Sequence, residues 1–529
     1  MHAIGTGNAV GGLGAMDFDD LPYVSMPIPY TAPARLAAMA ALHGIAAPAA
    51  ENAQVLEIGC ASGGNIVPLA QRFPRARFTG VDLSERHVAD GRRRAAALRL
   101  ANIEILQADI AAFDIDGRQF DYIICHGVFS WVPAPVREAV LRICAQSLSP
   151  SGIAAISFNV LPGWHMRNAV RDICLLHAGT GPPLTRVARV RALLDDLASA
   201  VRPAEPYGLL LQGEARRLTR RPASYIIGEF LAPDNVPMHF ADVAAMAQRH
   251  GLSYLCEGDL PSSLPETAAP GRAAAIRRHA GNDPGAVQQY LDIFLGRTFR
   301  RSLFVRSGAS GVAITPPRPE SLASLHIASE LQALSIADEG RDRHATAFKD
   351  HRGKTFTVTD AAVGRCLMRL GKTFPATLPV DELISDAAGN DGDVAAVSKV
   401  RDALFRLLCS GRASISSQPL AVGRADAERP VAWSLARAEA ASGQPWVTGA
   451  RHTSVLLNPA MKCLLPLLDG SLDRAALLAK LADALARGDI KLHANPATTE
   501  TSAVAIRPSF EKQLALALDY LERNALLVE

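Results

Sequence analysis

The sequence predicts an α/β fold with a doubly wound parallel sheet, followed by a mostly helical domain and winged-helix-like carboxyl-terminal units. Two observations carry the first part of this prediction. The apolar run at residues 55–58 stops at a glycine-rich turn, and a second run at 78–81 ends on Asp82. Asp82 follows Gly59 by 23 positions, close to the roughly 20 that separate a nucleotide-binding turn from its ribose-binding acid in Rossmann-like folds. The turn and the acid together are a far stronger signal than either alone.

Further strands and helices follow in alternation. Strands are predicted at 102–110, 120–126 and 152–158, with helices at 84–100 and 133–148 between them. Alternation of this length implies a parallel sheet with helices on both faces, and ligands then bind at the carboxyl ends of the strands. The residues that fall at those ends are Gly59, Asp82, Asp109 and His126.

The glycine spacing narrows the class of ligand. A dinucleotide site uses G-x-G-x-x-G, because two phosphates lie against the backbone, whereas here Glu57 is followed by Gly59, Gly63 and Gly64. This pattern resembles the first motif of class I S-adenosylmethionine (SAM) methyltransferases. Glycines would let the backbone approach the methionine half of the cofactor, and amides near Asn65 at the start of the next helix could receive its carboxylate. The alternative is a turn between a strand and a helix without a ligand.

The resemblance also implies individual cofactor contacts. In that family an acid at the end of the third strand, here Asp109, bonds the adenine amino group, and the next residue, Ile110, packs on the ring. The predicted cofactor-binding residues are Glu57, Gly59, Cys60, Gly63, Gly64, Asn65, Asp82, Leu83, Asp109, Ile110 and His126.

Length and composition exclude several classes of protein. A chain of 529 residues is too long for one core and predicts two to four domains. Its net charge of +3 indicates no general polyanion partner, and no run of about 20 apolar residues is present to span a membrane. The first fifteen residues do not make a secretory signal, and either Met1 or Met16 could be the start. We therefore predict a cytoplasmic protein.

The eight cysteines are scattered and never form C-x-x-C. They are expected to be small buried hydrophobic residues in a reducing compartment. No metal site is predicted.

Past about residue 180 the alternation of strands and helices stops. A long amphipathic helix is predicted at 184–201, and 205–305 is predicted to be mostly helical, with a proline-broken segment at 225–240. The region 210–305 is basic through Arg216, Arg217, Arg220, Arg221, Arg277, Arg278, Arg297, Arg300 and Arg301. It could attract an acidic protein segment, although solvated helix faces are the simpler explanation. Residues 307–321 are rich in Gly, Ser and Pro and predict a linker.

Two smaller units are predicted beyond the linker. The first, 322–425, is expected to contain helices at 361–370 and 398–410 and strands at 355–358 and 413–416. In the second, 426–529, helices within 457–470, 473–486 and 510–523 and a strand at 526–528 suggest a winged-helix-like shape. Its 473–486 helix carries few cations, so a protein-contact or dimer role is favoured over nucleic acid.

A more specific resemblance is carried by five stretches of the sequence, 17–23, 125–133, 162–167, 225–240 and 289–301. They resemble the signatures of bacterial class I methyltransferases that carry a methyltransferase regulatory domain. Similar proteins include the rickettsial protein-lysine methyltransferases that modify outer-membrane protein B. Residues 25–33 depart from the usual form, which ends in Thr-His-Pro. The predicted domains are a methyltransferase domain (17–180), a helical regulatory domain (181–306), a small α+β unit (322–425) and a winged-helix-like domain (426–529).

The predicted reaction is methyl transfer to an amine, with protein lysine as the favoured acceptor. His126, Trp131 and Trp164 are the candidate catalytic residues, because they follow the fourth and fifth strands. With Phe129 they would border an apolar acceptor channel, which would lower the pKa of the amine, and Tyr30 could close over the cofactor. For each of these side chains ordinary packing is a competing explanation. A small-molecule methyltransferase and a non-catalytic SAM-binding scaffold remain alternatives, and a homodimer is left open.

Overall fold

The computed structural model describes residues 25–202, 205–281, 283–308, 314–334, 345–389, 393–490 and 503–529, with only the backbone for 388 and 503–509. The motif at 17–23 and the middle of the predicted linker lie outside these residues. A seven-stranded sheet occupies the first half of the chain, in the order β3-β2-β1-β4-β5-β7-β6. Its strands are β1 Gln54–Ile58, β2 Arg77–Asp82, β3 Ile103–Gln107, β4 Phe120–Cys125, β5 Leu148–Asn159, β6 Leu252–Glu257 and β7 Phe299–Arg306.

The first five strands are parallel to one another. Their side chains are almost all buried in β1 and β4, as expected for strands covered by helices on both faces. The strand order runs outward from β1 to β3 on one side and from β4 to β5 on the other, so the topological switch point lies between β1 and β4. The loops after β1 and β4 therefore open at the same edge of the sheet. The prediction of a doubly wound Rossmann-like sheet is confirmed. Its helices are α1 Pro33–Leu42, α2 Ile66–Arg72, α3 Glu85–Ala97 and α4 Ala134–Ser147.

Strands β6 and β7 come from the region that the sequence predicted as mostly helical. Both are antiparallel to their neighbours, and β7 lies between β5 and β6. Leu303 and Phe304 of β7 are fully buried opposite Ala155 and Ala154 of β5. The sheet therefore includes strands from beyond residue 180. The division into domains at 17–180 and 181–306 remains a prediction.

Helices make up most of the remaining residues between 163 and 295. A π-helical turn at Ile227–Leu231 follows α8 directly. The helices are α5 Gly163–Ala178, α6 Pro183–Ala200, α7 Pro206–Thr219, α8 Ala223–Ile226, α9 Phe240–Arg249, α10 Leu260–Ser263, α11 Pro265–Ala268, α12 Ala273–Ala280 and α13 Pro284–Leu295.

The unit predicted at 322–425 packs onto the methyltransferase domain. Leu325, Ile327 and Phe348 belong to the same hydrophobic core as Leu36 of α1, and Ser417 N–H donates to the carbonyl of Ala34 at 2.9 Å. This unit and α1 therefore share one hydrophobic core. Its elements are β8 His326–Ala328, β9 Leu331–Leu334, β10 Thr346–Asp350, β11 Thr355–Val358, α14 Ala361–Thr373, β12 Leu378–Pro379, α15 Val380–Ala388, α16 Val394–Cys409 and β13 Ser414–Ser416.

The last unit has a hydrophobic core of its own, built on leucines such as Leu464, Leu477 and Leu518. Asp473 caps the helix predicted at 473–486 by accepting from Ala476 N–H. The elements are β14 Val431–Ala432, α17 Ser434–Ala441, β15 Trp446–Gly449, β16 Thr453–Leu456, α18 Pro459–Leu464, α19 Arg474–Ala486, α20 Ala503–Arg523 and β17 Leu527–Val528.

Two observations concern the whole of the described chain. Within the described ranges, no helix combines the length and the apolar character that crossing a bilayer would need. All eight cysteines are free, and six of them are buried.

Candidate functional site

The glycine turn after β1 requires glycine for its own geometry. Gly59 and Gly63 have φ values of +71° and +74°, in the left-handed region that favours glycine. A Cβ on Gly59 would lie 2.3 Å from Cγ2 of Val128, and one on Gly63 would lie 2.8 Å from Cγ2 of Val67. The loop after β4 therefore approaches the turn as closely as the backbone allows.

An N-terminal arm, residues 25–31, covers the same turn. Gly64 N–H donates to Ser25 Oγ at 2.7 Å, and a Cβ on Gly64 would lie 2.2 Å from the carbonyl of Ser25. Asn65 Oδ1 accepts from Ile28 N–H at 2.9 Å. The Gly64 amide, one of the groups expected near a cofactor carboxylate, is thus already bonded to the arm in this structure.

Glu57 lies beneath the turn and supports it. Its side chain is buried, and Asn65 Nδ2 donates to Oε1 at 2.8 Å. Burial raises the pKa of Glu57 to about 8, with a smaller contribution from the charge of Asp82 and an opposing one from Asn65. Glu57 is therefore mostly protonated at neutral pH and acts here as a buried anchor for Asn65.

The two strand-end acids predicted from the sequence lie at one edge of the sheet. Ala108 N–H donates to the carbonyl of Asp82 at 3.0 Å, so Asp82 and Asp109 follow adjacent strands side by side. The Asp82 carboxylate accepts from Ala61 N–H at 2.8 Å and from Ser84 N–H at 3.0 Å. Asp82 thereby fixes the glycine turn as well as presenting a carboxylate at the edge.

The chemistry of this edge suits an adenosine-like ligand. Asp109 is exposed and the next residue, Ile110, is buried, while 58% of the surface of Leu83 is exposed. A Cβ on Gly127 would meet no described heavy atom within 4 Å. Carboxylates accept hydrogen bonds from hydroxyl and amino groups and repel phosphate. These hydrogen-bond acceptors therefore fit the ribose hydroxyls and the adenine amine of SAM and do not favour a dinucleotide.

Cys60 belongs to the turn but faces away from this edge. Its thiol is buried against the backbone of Gly80, whose Cβ would lie 2.8 Å from Cys60 Sγ. Burial raises the pKa of the Cys60 thiol well above its usual range. A packing role follows for its side chain.

An aromatic cluster lies at the end of β4. Tyr30 OH and His126 Nδ1 are 3.0 Å apart, and the His126 ring meets Tyr30 and Phe299 edge-on at centroid distances of 5.6 Å and 5.8 Å. Burial, and then the charge of Arg301, lower the pKa of His126 to about 4. The imidazole is therefore neutral at physiological pH.

The two tryptophans predicted to border an acceptor channel differ in position. Trp131 is half-buried, and its ring meets that of Trp164 edge-on at 6.3 Å. Trp164 is fully buried, with Phe230 at 6.3 Å, and Phe129 is buried against Phe158. Trp164 and Phe129 therefore line no open channel in this structure, because neighbouring helices and β5 cover them.

The arginines of 210–305 are in part internal. Arg300 is buried and binds Glu257 Oε1 at 2.5 Å and Asp292 Oδ2 at 2.9 Å, and Arg217 binds Glu214 at 2.5 Å. These cations are paired within the domain, so the basic composition overstates the positive surface. Arg278, by contrast, is exposed.

Two features of the site could not be predicted from the sequence. Phe299 is one, because its place beside His126 depends on the pairing of β7 with β5. His452, whose Nε2 lies 2.7 Å from Asn65 Oδ1, comes from the winged-helix unit and carries no local signal. Within the described residues, no cluster of His, Cys, Asp and Glu could hold a metal ion.

Three stretches of the chain match models of protein families. Residues 55–152 match "Methyltransferase domain", residues 222–306 match "Predicted methyltransferase regulatory domain", and residues 428–526 match "PKMT, C-terminal winged helix domain". The methyltransferase, the regulatory domain and the winged helix predicted from the sequence are confirmed.

Relatives of this chain occur in Rickettsia. Protein RP789 of Rickettsia prowazekii (strain Madrid E) is 27% identical over 97% of this chain and 93% of its own length. Protein RP028 of the same organism is 30% identical over 45% of this chain and 97% of its own length. The solved structure of PKMT2 from Rickettsia typhi in complex with AdoHcy is 23% identical, covers 96% of this chain and 100% of its own, and has a TM-score of 0.86. The two chains therefore share one fold from end to end.

Proposed function

The chain belongs to the same family as protein RP028 of Rickettsia prowazekii and carries a methyltransferase domain, and on this premise we propose that it methylates a lysine side chain of a protein, with SAM as the methyl donor. The observation that carries the choice of acceptor is the match of residues 428–526 to the PKMT winged-helix domain. The likeness in fold to PKMT2 along nearly the whole chain supports it. An enzyme with a small-molecule acceptor would also not need an additional domain as large as residues 428–526.

We assign the cofactor to the edge formed by the loops after β1 to β4. Asp82 would accept from the ribose hydroxyls and Asp109 from the adenine amine, with Leu83 and Ile110 beside the ring. When bound, SAM would supply the electrophilic methyl group of its sulfonium. This assignment is supported by the exposed Asp109 and Leu83 and by the open space at Gly127.

His126 would orient the acceptor amine. A lysine ammonium must lose its proton before its nitrogen can attack, and burial beside a positive charge favours the neutral amine. Arg301 supplies such a charge, since its guanidinium carbon lies 5.7 Å from the Tyr30 ring and 5.8 Å from the Phe299 ring. With a pKa of about 4, His126 is too weak a base to hold the proton. Its role is therefore to hydrogen-bond the neutral amine, and the proton leaves to solvent beforehand.

The aromatic rings around His126 would help it to orient the acceptor amine. Tyr30 fixes the imidazole through Nδ1, and the half-buried Trp131 lies in the loop that follows. Aromatic faces and edges exclude water from a desolvated amine and tolerate the positive sulfur of the cofactor. Trp164 would act only by holding Trp131 in place.

Transfer of a labelled methyl group tests this function. The purified chain is incubated with methyl-labelled SAM and a bacterial lysate, and the products are separated into protein and small-molecule fractions. We expect label on protein, recovered as methyl-lysine after hydrolysis, and a loss of that label with Asp82→Asn. Label found only on small molecules would show that the acceptor is a small molecule and not a protein. SAM binding without any transfer would indicate a non-catalytic scaffold. A cytoplasmic location and a homodimer remain predictions.

A further inference from the structure

The winged-helix domain contacts the glycine turn of the methyltransferase domain directly. The turn between β15 and β16, residues 450–452 (the wing turn), inserts His452, which is 2% exposed. His452 Nε2 lies 2.7 Å from Asn65 Oδ1. Arg72 of α2 donates to the carbonyl of Ala450 in the same turn. The wing turn therefore contacts both ends of α2, at Asn65 just before its first residue and at Arg72, its last residue.

Asn65 joins four parts of the protein at this point. Its Oδ1 accepts from Ile28 N–H at 2.9 Å and from Thr31 Oγ1 at 3.2 Å, while its Nδ2 donates to Glu57 Oε1 at 2.8 Å. Because Ile28 N–H can only donate, Oδ1 is an acceptor, so His452 must present a protonated Nε2. Burial, and then the charge of Arg72, lower the pKa of His452 to about 3, which keeps the ring neutral in this donor form.

A second path links the same two domains. Arg94 of α3 binds Glu439 of α17 at 2.8 Å and donates to the carbonyl of Ser62, within the glycine turn, at 3.4 Å. Glu439 is 4% exposed and also accepts from Thr448 N–H at 2.6 Å. Two buried polar groups of the winged helix thus reach the turn, one through Asn65 and one through Arg94.

We propose that the winged-helix domain is a structural part of the SAM site, in which His452 is a positioning residue that holds the glycine turn and the N-terminal arm through Asn65. The inference rests on the proposed cofactor and extends it to a domain otherwise considered for partner contact. Without the His452 bond, Asn65 Oδ1 loses its shortest hydrogen bond, and both the arm and the turn lose restraint. The consequence falls on cofactor affinity and not on the transfer step.

The test compares two substitutions at His452 in the full chain. His452→Phe keeps an aromatic ring and removes the donor, whereas His452→Gln places an amide donor near the position of Nε2. We expect the Kd for SAM, measured by calorimetry, to rise about ten-fold in His452→Phe and to recover to within about three-fold of wild type in His452→Gln. At saturating SAM, kcat should change less than about two-fold while KM for SAM rises.

A readout without cofactor and a matched control complete the test. In His452→Phe, the amides of Ile28 and of residues 63–66 should exchange hydrogen faster than in wild type. Leu464→Ala, which opens the winged-helix core without touching Asn65, should leave both SAM affinity and this exchange near wild type. Should His452→Phe not fold, Glu439→Gln tests the second path, with a smaller rise in Kd.

The outcomes separate this inference from the proposed function. Equal SAM affinity and equal exchange in His452→Phe and wild type would overturn the inference alone, as would an equal loss of affinity in Leu464→Ala. If the wild-type chain binds no SAM, the proposed function fails, and faster exchange in His452→Phe then decides whether the wing turn holds the glycine turn.

Discussion

Tyr30 and His126, 96 positions apart in the sequence, are joined by a hydrogen bond of 3.0 Å between the phenol oxygen and Nδ1. The bond makes the N-terminal arm part of the site, because the arm both covers the glycine turn and orients the imidazole at the end of β4. Gly258 allows this placement, since a Cβ there would lie 2.3 Å from Cδ2 of Tyr30.

Tyr30→Phe should slow methyl transfer without weakening SAM binding. The ring stays packed against Gly258, and only the hydroxyl that fixes His126 is removed. Loss of a hydrogen bond that contributes roughly 1 kcal/mol to orienting His126 predicts a fall in kcat of about five-fold. Steady-state kinetics with Tyr290→Phe as a distant control would measure it. A Tyr30→Phe enzyme with wild-type kcat would exclude the positioning role.

Asp82→Asn should weaken SAM binding. The substitution keeps the size of the side chain and an acceptor for one backbone amide, but removes the charge. Loss of a charge-assisted hydrogen bond costs roughly 1.5–3 kcal/mol, about ten-fold or more in Kd. Calorimetry is the measurement, with the exposed neighbour Glu85→Gln as the control. Unchanged affinity in Asp82→Asn would rule out this placement of the ribose.

The first five strands and the acids at their ends could be predicted because each strand carries its own signal. A parallel strand covered on both faces is a short, nearly continuous apolar run, as in Phe120–Cys125. The turn that follows it must then contain glycine or a polar residue. Such patterns are local, so no knowledge of the partner strand is needed to find Gly59, Asp82 or Asp109.

The features that could not be predicted depend on residues far apart in the chain. Arg300 is buried because Glu257 and Asp292 neutralise it, 43 and 8 positions away. Asn65 and His452 are 387 positions apart. The burial of Trp164 likewise follows from the packing of the π-helical turn at Ile227–Leu231, which brings Phe230 against it. Composition and periodicity contain no information on such pairings.

Trp131→Ala and Trp164→Ala should have different effects, since one ring is half-buried and the other fully buried. Trp164→Ala would leave a cavity among α5 and the π-helical turn, at a cost of about 3–5 kcal/mol of stability. Trp131→Ala should cut the transfer rate while SAM affinity stays nearly intact. Thermal melting and kinetics on both variants distinguish the roles. Equal destabilisation by the two substitutions would show that Trp131 is a packing residue as well.

Stability should fall in acid through His126. Its pKa is about 4 in the folded chain and about 6.5 in an unfolded one. As the pH falls below 6.5, the unfolded chain binds a proton that the folded chain does not, so stability is lost progressively until the pH reaches about 4. Between pH 7.5 and pH 5.0 this histidine should remove on the order of 1–2 kcal/mol from the free energy of unfolding.

A comparison of wild type with His126→Asn isolates this contribution. Glu57 acts in the opposite direction, because burial raises its pKa to about 8, and stability is therefore lost as the pH rises from 4.5 toward 8. Glu57 is present in both proteins and cancels in their difference. Urea unfolding at pH 7.5 and pH 5.0 should show wild type losing more stability than His126→Asn in acid. An equal change in the two proteins would mean that His126 is not held neutral in the fold.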